Sequence, residues 1–244
     1  MRVSLEDVLA ASAVQPNQGQ RINLKDHVIE LLRPHIVFGR IPAGTPLVER
    51  ELAGILNISR LPIREALQEL EKEGLVVSTA TNRRQVTTFS ERDIRELYEV
   101  RLQLELLAST RAASRAASGD TSALRASFAA MQQAFRDHDR EAFPQADIDL
   151  HRAIWELADN MHLIGMLKTM SRQMYMVVSR HSALYDWTEV VDLHLALIDA
   201  ILAGDLARTR DSMEYHMQNS LERTLKAFVT DPPSSSSLHA PPVV

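Results

Sequence analysis

Apolar residues first fall at helical spacing at Leu24, Val28, Leu31, Leu32 and Ile36, and Gly39 just beyond them suits a helix end. The run Ile41-Pro42-Ala43-Gly44-Thr45-Pro46 is a turn by composition. Two short helices are predicted after it, one in the stretch Glu49 to Ile58 and one in the stretch that opens with Ser59 to Leu67, and Gly74 follows them. Ile63, Ala66, Leu67 and Leu70 give the second helix its buried face. Leu75-Val76-Val77-Ser78 and Gln85-Val86-Thr87-Thr88 then read as short strands around a loop at 79–84. Three helices and a hairpin in this order make a winged helix-turn-helix.

From Ser90 onward the pattern is helical only. Ser90 is a good N-cap, with Glu91 and Asp93 in the first turn behind it. Leu97, Val100, Leu104 and Leu107 are predicted to carry the apolar face of this helix, and Gly119-Asp120 breaks it. Further helices are predicted over 121–138, 141–158, 162–183, 188–203 and 205–228, with breaks at Asp139, Asn160, Tyr185-Asp186 and Gly204-Asp205. Six helices with short connections form an antiparallel bundle. The expected fold class is therefore mainly α: an N-terminal winged helix-turn-helix and a C-terminal bundle of about six helices. Residues 1–20 read as a weakly structured arm, 21–88 as the winged domain, 89–229 as the helical domain, and 230–244 as a disordered tail rich in Pro and Ser.

Composition changes the picture in two places. The 244 residues contain no cysteine, so disulfides and thiolate metal sites are excluded, which fits a reducing compartment. The first 20 residues lack the apolar run of a signal peptide, and no stretch approaches the roughly 18 apolar residues of a membrane span. A cytoplasmic protein without a membrane partner is expected. Net charge is −5, unfavourable for a nucleic-acid binder, but it is unevenly spread. Residues 21–88 carry 10 Lys and Arg against 8 Asp and Glu, and residues 89–244 carry 16 against 22. A phosphate-binding face in the first half must come from the placement of arginines rather than from bulk charge.

A helix that enters the major groove needs one buried face and polar side chains near its N-terminus. The second short helix has both. Arg60 and Arg64 are one turn apart opposite the buried face, and arginine can pair with guanine O6 and N7 or clamp a phosphate. Arg50 opens the preceding helix, and Asn82-Arg83-Arg84 form the tip of the wing. The segment Leu52-Ala53, Leu56, Ile58-Ser59-Arg60-Leu61-Pro62-Ile63-Arg64-Glu65-Ala66-Leu67, Leu70, Glu73-Gly74-Leu75 resembles the signature of the GntR family of bacterial regulators. In the FadR branch, arginines at the positions of Arg50, Arg60 and Arg64 contact the operator. The resemblance thus implies double-stranded operator DNA as the partner, with Arg50, Ser59, Arg60, Arg64 and Arg83 as the candidate contacts. Two departures stand out: Leu61 where Thr is usual, and Arg84 where the wing usually has Gly. Two operator half-sites need two recognition helices, so a homodimer is expected.

The helical domain holds a second constellation. Asp147 and His151 are i and i+4 on one face of a helix, and His194 and His216 fall on the apolar sides of two later helices. One carboxylate and three imidazoles suit zinc, nickel or manganese. Core histidines and a plain helix-surface pair remain the alternatives at this level. Residues from about 91 to 228 resemble the FCD ligand-binding domain of the FadR branch, through Asp147, Leu150-His151, Ile154, Asp159-Asn160, Leu193-His194, Leu197-Ile198, Gly204-Asp205 and His216-Met217. The resemblance implies a divalent metal, zinc first, on Asp147, His151, His194 and His216, and a small carboxylic acid as effector. Leu150 and Leu193 replace the usual Phe and Glu. Arg101, in Arg101-Leu102-Gln103-Leu104-Glu105, matches the family's R-x-x-[LI]-E segment and is the candidate effector-binding cation, with a salt bridge to Glu105 as the alternative. Arg172 and Arg180 are weaker candidates. The function expected is that of a ligand-responsive repressor. Its rivals are a metal sensor without an organic effector and a metal-dependent hydrolase. For the hydrolase the nearest acid, Glu156, is rotated away from the His151 face.

Overall fold

The computed structural model describes residues 5–9, 23–139, 142–181 and 187–230, and the C-terminal tail expected after residue 230 lies outside them. The chain divides into two compact units. The described residues of the first are 5–9, 23–90 and 172–180, and those of the second are 91–139, 142–171, 181 and 187–230. Among the described residues no helix is long and apolar enough to cross a membrane.

The first unit runs α1 (Leu5–Leu9), α2 (Leu24–Val37), α3 (Glu49–Leu56), α4 (Arg60–Lys72), β1 (Val76–Ser78) and β2 (Arg84–Val86). Asn23 starts α2 by accepting the Lys25 N–H at 3.2 Å through its side chain. The predicted stripes meet in the core: Val28, Leu32 and Ile36 of α2, Leu52 and Leu56 of α3, and Ile63, Leu67 and Leu70 of α4 are each at most 1% exposed. α4 packs against α2, α3 and β1. Asn57 ends α3 in the left-handed conformation at φ 53°, which lets the chain reverse within three residues before α4 begins. Of the arm read as weakly structured, residues 5–9 are described; they form α1, whose Leu5 and Leu9 are buried and which packs against α3. Two leucines one turn apart give that short helix an apolar edge to dock.

The strands pair antiparallel, with Val76 opposite Val86 and Ser78 opposite Arg84. Expected at 85–88, the second strand instead spans Arg84–Val86. The loop before α3 fixes it there: Leu47 N donates to Arg84 O at 2.8 Å, and Val86 N donates to Thr45 O at 3.0 Å. These bonds add a third edge to the hairpin and draw Arg84 out of the wing tip into the strand. Asn82, at φ 58°, makes the turn, closed by Asn82 N donating to Thr79 O at 2.8 Å.

The second unit contains α5 (Glu91–Ala116), α6 (Ser122–Arg136), α7 (Ala142–Ala158), the part of α8 (Met161–His181) before Arg172, α9 (Trp187–Leu202) and α10 (Leu206–Thr230). Four of the predicted breaks are capping sites, and the fifth, Tyr185-Asp186, lies outside the described residues. Asp120, Asp139, Asn160 and Asp205 accept the backbone N–H of Ser122, Ala142, Leu163 and Arg208 through their side chains at 2.8–3.2 Å. α5 is the central element and packs against α7, α9 and α10, while α6 packs against α7 and α9.

The face of α5 is not the expected one. Val100 and Leu107 are 52% and 47% exposed, and Leu97 and Leu104 are only half-buried. The buried stripe is Ile94, Tyr98, Arg101, Glu105, Ala108 and Ala112. Counting leucines misses this stripe, because Arg101 and Glu105 satisfy one another and can therefore enter the core. Tyr98 joins them, its hydroxyl within 2.9 Å of Ser220 and 2.8 Å of Thr224 on α10. For the first unit, Leu67→Ala is expected to cost about 2–5 kcal/mol of stability through the cavity it leaves among α2, α3 and α4, read from urea unfolding followed by circular dichroism. A loss under 1 kcal/mol would show that this core is not the one that holds the unit together.

Candidate nucleic-acid interface and candidate metal centre

In the first unit, α3, α4 and the wing enclose an open cleft of about 980 Å³. Arg50, Arg60, Arg64, Arg83 and Arg84 line it, against a single acidic residue, Glu49. The local excess of positive charge that the whole-chain composition hides is therefore concentrated on one surface. α4 presents Arg60 and Arg64 from its first two turns, 60% and 49% exposed, because Ile63, Ala66, Leu67 and Leu70 hold its other side in the core. Ser59 is the exposed N-cap of α4, and its side chain makes no capping bond. Arg50 is exposed on the first turn of α3, Arg83 is exposed on the wing, and Leu61 is 61% exposed beside Arg60.

Glu49 is the hub of this surface. Its Oε1 accepts from Arg64 Nε at 3.1 Å and Arg84 Nη1 at 3.2 Å, and its Oε2 accepts from Arg64 Nη2 at 3.0 Å and Arg60 Nη2 at 3.3 Å. The hydrogen bonds from Arg64 hold its carboxyl below the usual carboxylate range, against the opposing effect of burial, with Arg60 adding to the same result. Arg84 also reaches Glu71 at 3.3 Å, so it points inward from β2 and ties the wing to α4. The sequence suggested neither the role of Glu49 nor the inward course of Arg84. Only the spacing of 15 residues between Glu49 and Arg64, set by the helix-turn-helix, brings them together.

In the second unit, α7, α9 and α10 converge on three imidazoles. The His151, His194 and His216 side chains are 2%, 1% and 5% exposed residues, and one nitrogen of each lies within 4.8 Å of the others. Asp147, one turn before His151 on α7, places Oδ1 3.1 Å from His194 Nε2. His194 Nε2 is also 3.3 Å from His151 Nε2. The Nδ1 of His194 lies 2.7 Å from the carbonyl of Val190, which can only accept, so Nδ1 donates there and Nε2 is the nitrogen turned to the cluster. His216 is pushed well below its usual pKa, first by burial and then by the neighbouring His194 and His151. A neutral imidazole of this kind is the form that binds a metal. Among the described residues, Nδ1 of His216 is buried without a hydrogen-bond partner. Converging lone pairs, an adjacent carboxylate and a buried orphan nitrogen fit a divalent cation.

One wall of the cluster is α5. Glu105 is fully buried, and burial alone would raise its pKa. The neighbouring His151 and the charge of Arg101, with a hydrogen bond from Trp155, outweigh burial and hold it down to about 2. Arg101 donates through Nε and Nη2 to Glu105 Oε1 at 3.1 and 3.0 Å, and Trp155 Nε1 donates to Oε2 at 2.8 Å. His151 Nδ1 stands 3.5 Å from Oε1, close enough for charge attraction but outside good hydrogen-bond geometry. The salt bridge that the sequence allowed for Arg101 is thus formed. Trp155 and Glu105 are 50 residues apart, and nothing in the sequence pairs them. Arg172 groups with the first unit, where its Nη1 lies 3.1 Å from Glu73. The side chain of Arg180 lies outside the described residues.

Comparison with known proteins agrees with both halves. The family described as bacterial regulatory proteins of the gntR family matches residues 24–85, and the FCD domain matches residues 96–219, just over half of the chain. The chain is 28% identical over 204 residues to the "Probable D-xylose utilization operon transcriptional repressor" of Paenarthrobacter nicotinovorans, covering 84% of this chain and 90% of that one. It is 27% identical over 194 residues to the gluconate operon transcriptional repressor of Bacillus subtilis (strain 168), covering 77% and 79%. Its fold matches that of E. coli McbR/YncC with a TM-score of 0.74 at 21% identity, over 85% of this chain and 99% of that one. These relatives are regulators rather than enzymes, which removes the hydrolase reading. With a winged reading head in its first unit and an FCD domain of helices in its second, the chain belongs to the GntR family of bacterial transcriptional regulators.

Proposed function

We propose that this regulator is a homodimeric repressor that reads operator DNA through Arg50, Ser59, Arg60, Arg64 and Arg83, holds a divalent metal on Asp147, His151, His194 and His216, and answers to a small carboxylic acid bound beside that metal. The observation that carries the reading is the buried convergence of three imidazole nitrogens with Asp147 against a wall formed by Arg101 and Glu105. A core without a ligand gains little from leaving three imidazoles and two carboxylates out of water.

Nitrogen and oxygen donors without sulfur suit zinc first, then nickel or manganese. When bound, the metal supplies a Lewis-acid position for a carboxylate or hydroxyl oxygen. His194 is preset for it by its bond to Val190. Glu105 fixes the Arg101 guanidinium beside the site, giving an incoming anion a rigid cation to face. One relative represses a gluconate operon and another is named for a D-xylose utilization operon, so a hydroxylated small molecule, here an acid, is in keeping with them. Acid binding can control DNA only as far as the acid binds the DNA-bound and DNA-free forms unequally. Release of the operator is the expected direction.

The outward face of α5 supports the dimer. Val100 and Leu107 are two turns apart with Leu104 between them, an exposed apolar strip of the kind that a second copy covers.

Four outcomes test the proposal. Arg64→Ala is expected to weaken binding by about 1–3 kcal/mol to a duplex that the wild-type protein selects from a randomised library, measured by fluorescence anisotropy; unchanged affinity sinks the reading head. Purified protein is expected to hold about one zinc, nickel or manganese per chain by mass spectrometry, and His194→Ala to hold none. Metal-loaded protein, screened against small mono- and dicarboxylic acids, should gain about 2.7 kcal/mol of stability from an acid at 100 times its Kd, while the His194→Ala protein gains nothing. Stabilisation by metal alone, with no acid active, would leave a metal sensor. Lastly, Val100→Glu combined with Leu107→Glu is expected to halve the molar mass in light scattering, and an unchanged mass places the dimer contact elsewhere.

A further inference from the structure

We propose that Glu49 is a positioning residue that sets base specificity: its carboxylate holds Arg64 as a preset fork for guanine. The inference rests on reading Arg64 as a DNA contact and goes beyond it, because it assigns the choice of base to a residue that need not touch DNA.

The geometry is specific. Arg64 bonds Glu49 through Nε at 3.1 Å and Nη2 at 3.0 Å, so one edge of its guanidinium is engaged in a bidentate pair. The other edge, formed by Nη1 and Nη2, then projects as a two-pronged donor, the shape that matches guanine O6 and N7. An exposed arginine on a helix otherwise samples many rotamers, and in those it serves a phosphate as well as a base. Anchoring removes that freedom before DNA arrives. Glu49 is itself well fixed. It is the first residue of α3, where the helix dipole favours a carboxylate, and its side chain is 19% exposed.

The same carboxylate also receives Arg60 at 3.3 Å and Arg84 at 3.2 Å. Arg84 is the residue that departs from the usual wing glycine, and its second bond, to Glu71 on α4, braces the arrangement from the strand side. The opposing effect of Glu49 is equally physical: one negative charge amid five arginines lowers the attraction to any phosphate backbone. A residue that reduces general affinity and sharpens one contact acts on the ratio of specific to non-specific binding.

The test uses the full chain of wild type, Glu49→Gln, Glu49→Asp and Arg64→Ala. Each selects duplexes from a library randomised over about two helical turns, and each is titrated with a scrambled duplex in parallel. Folding of every variant is checked by circular dichroism, and Glu49→Asp carries the test if Glu49→Gln does not fold. Wild type is expected to select a guanine in each half-site that Arg64→Ala no longer selects. Glu49→Gln should keep the site but relax the preference at that guanine by roughly ten-fold, while binding the scrambled duplex more tightly. Glu49→Asp, which keeps the charge on a shorter stem, should restore part of the preference. A Glu49→Gln matrix identical to wild type, with Arg64→Ala altered, overturns the positioning role and leaves the reading head intact. An Arg64→Ala matrix identical to wild type overturns the reading head itself. Loss of a cytosine preference instead of the guanine would mean that Glu49 accepts directly from a base, and loss of all DNA binding by folded Glu49→Gln is incompatible with the removal of an anion; either result overturns the proposal.

Discussion

A carboxylate out of water persists as an anion only if several donors answer it at once, and the functional side chains of both units depend on that constraint. Glu105 is the extreme case. It sits at zero exposure in the centre of the bundle, and Arg101, Trp155 and His151 approach it from two different helices. Remove any of these partners and the remaining charges face an apolar core. Because all are present, α5 can turn a polar stripe inward, and that stripe forms a wall of the histidine cluster. Much of the bundle's specificity follows from this choice of face.

Glu49 solves a related problem at the surface. Five arginines gathered on one small cleft repel one another, and a carboxylate among them offsets part of that repulsion and gives three of them a fixed direction. Exposure sets the difference between the two sites. At Glu105 the ion pair decides which residues can be buried at all, whereas at Glu49 solvent screens the attraction and its main effect is on geometry. In each unit, one acid on one helix determines how side chains from other elements are held.

The bundle also separates structural polarity from chemistry. Tyr98, Ser220 and Thr224 form a buried hydrogen-bonded set between α5 and α10 that satisfies itself and carries no charge. Near the histidines the balance is different: His194 spends one nitrogen on Val190, and the others converge without enough donors to satisfy them. That contrast within one core is what supports the proposed cation at His151, His194 and His216.

Periodicity, caps and turns were legible in the chain itself. Helix boundaries came within a few residues, because Asp120, Asp139, Asn160 and Asp205 are local signals whose hydrogen bonds reach only two or three residues along the chain. The two-sided character of α4 was also legible, since one helix both buries Leu67 and exposes Arg64. The buried face of α5 was not, because the burial of Glu105 rests on Arg101 one turn away together with Trp155 and His151, which arrive from α7. Nor was the register of β2, which backbone bonds to Thr45 and Leu47 decide. What the sequence determined by itself is what neighbours within a turn or two of helix govern: most of the elements, their caps, and the helix faces on which Arg64, His151, His194 and His216 lie. Tertiary structure alone decided which carboxylate holds which cation, because such pairs depend on desolvation and distance between residues far apart in the chain.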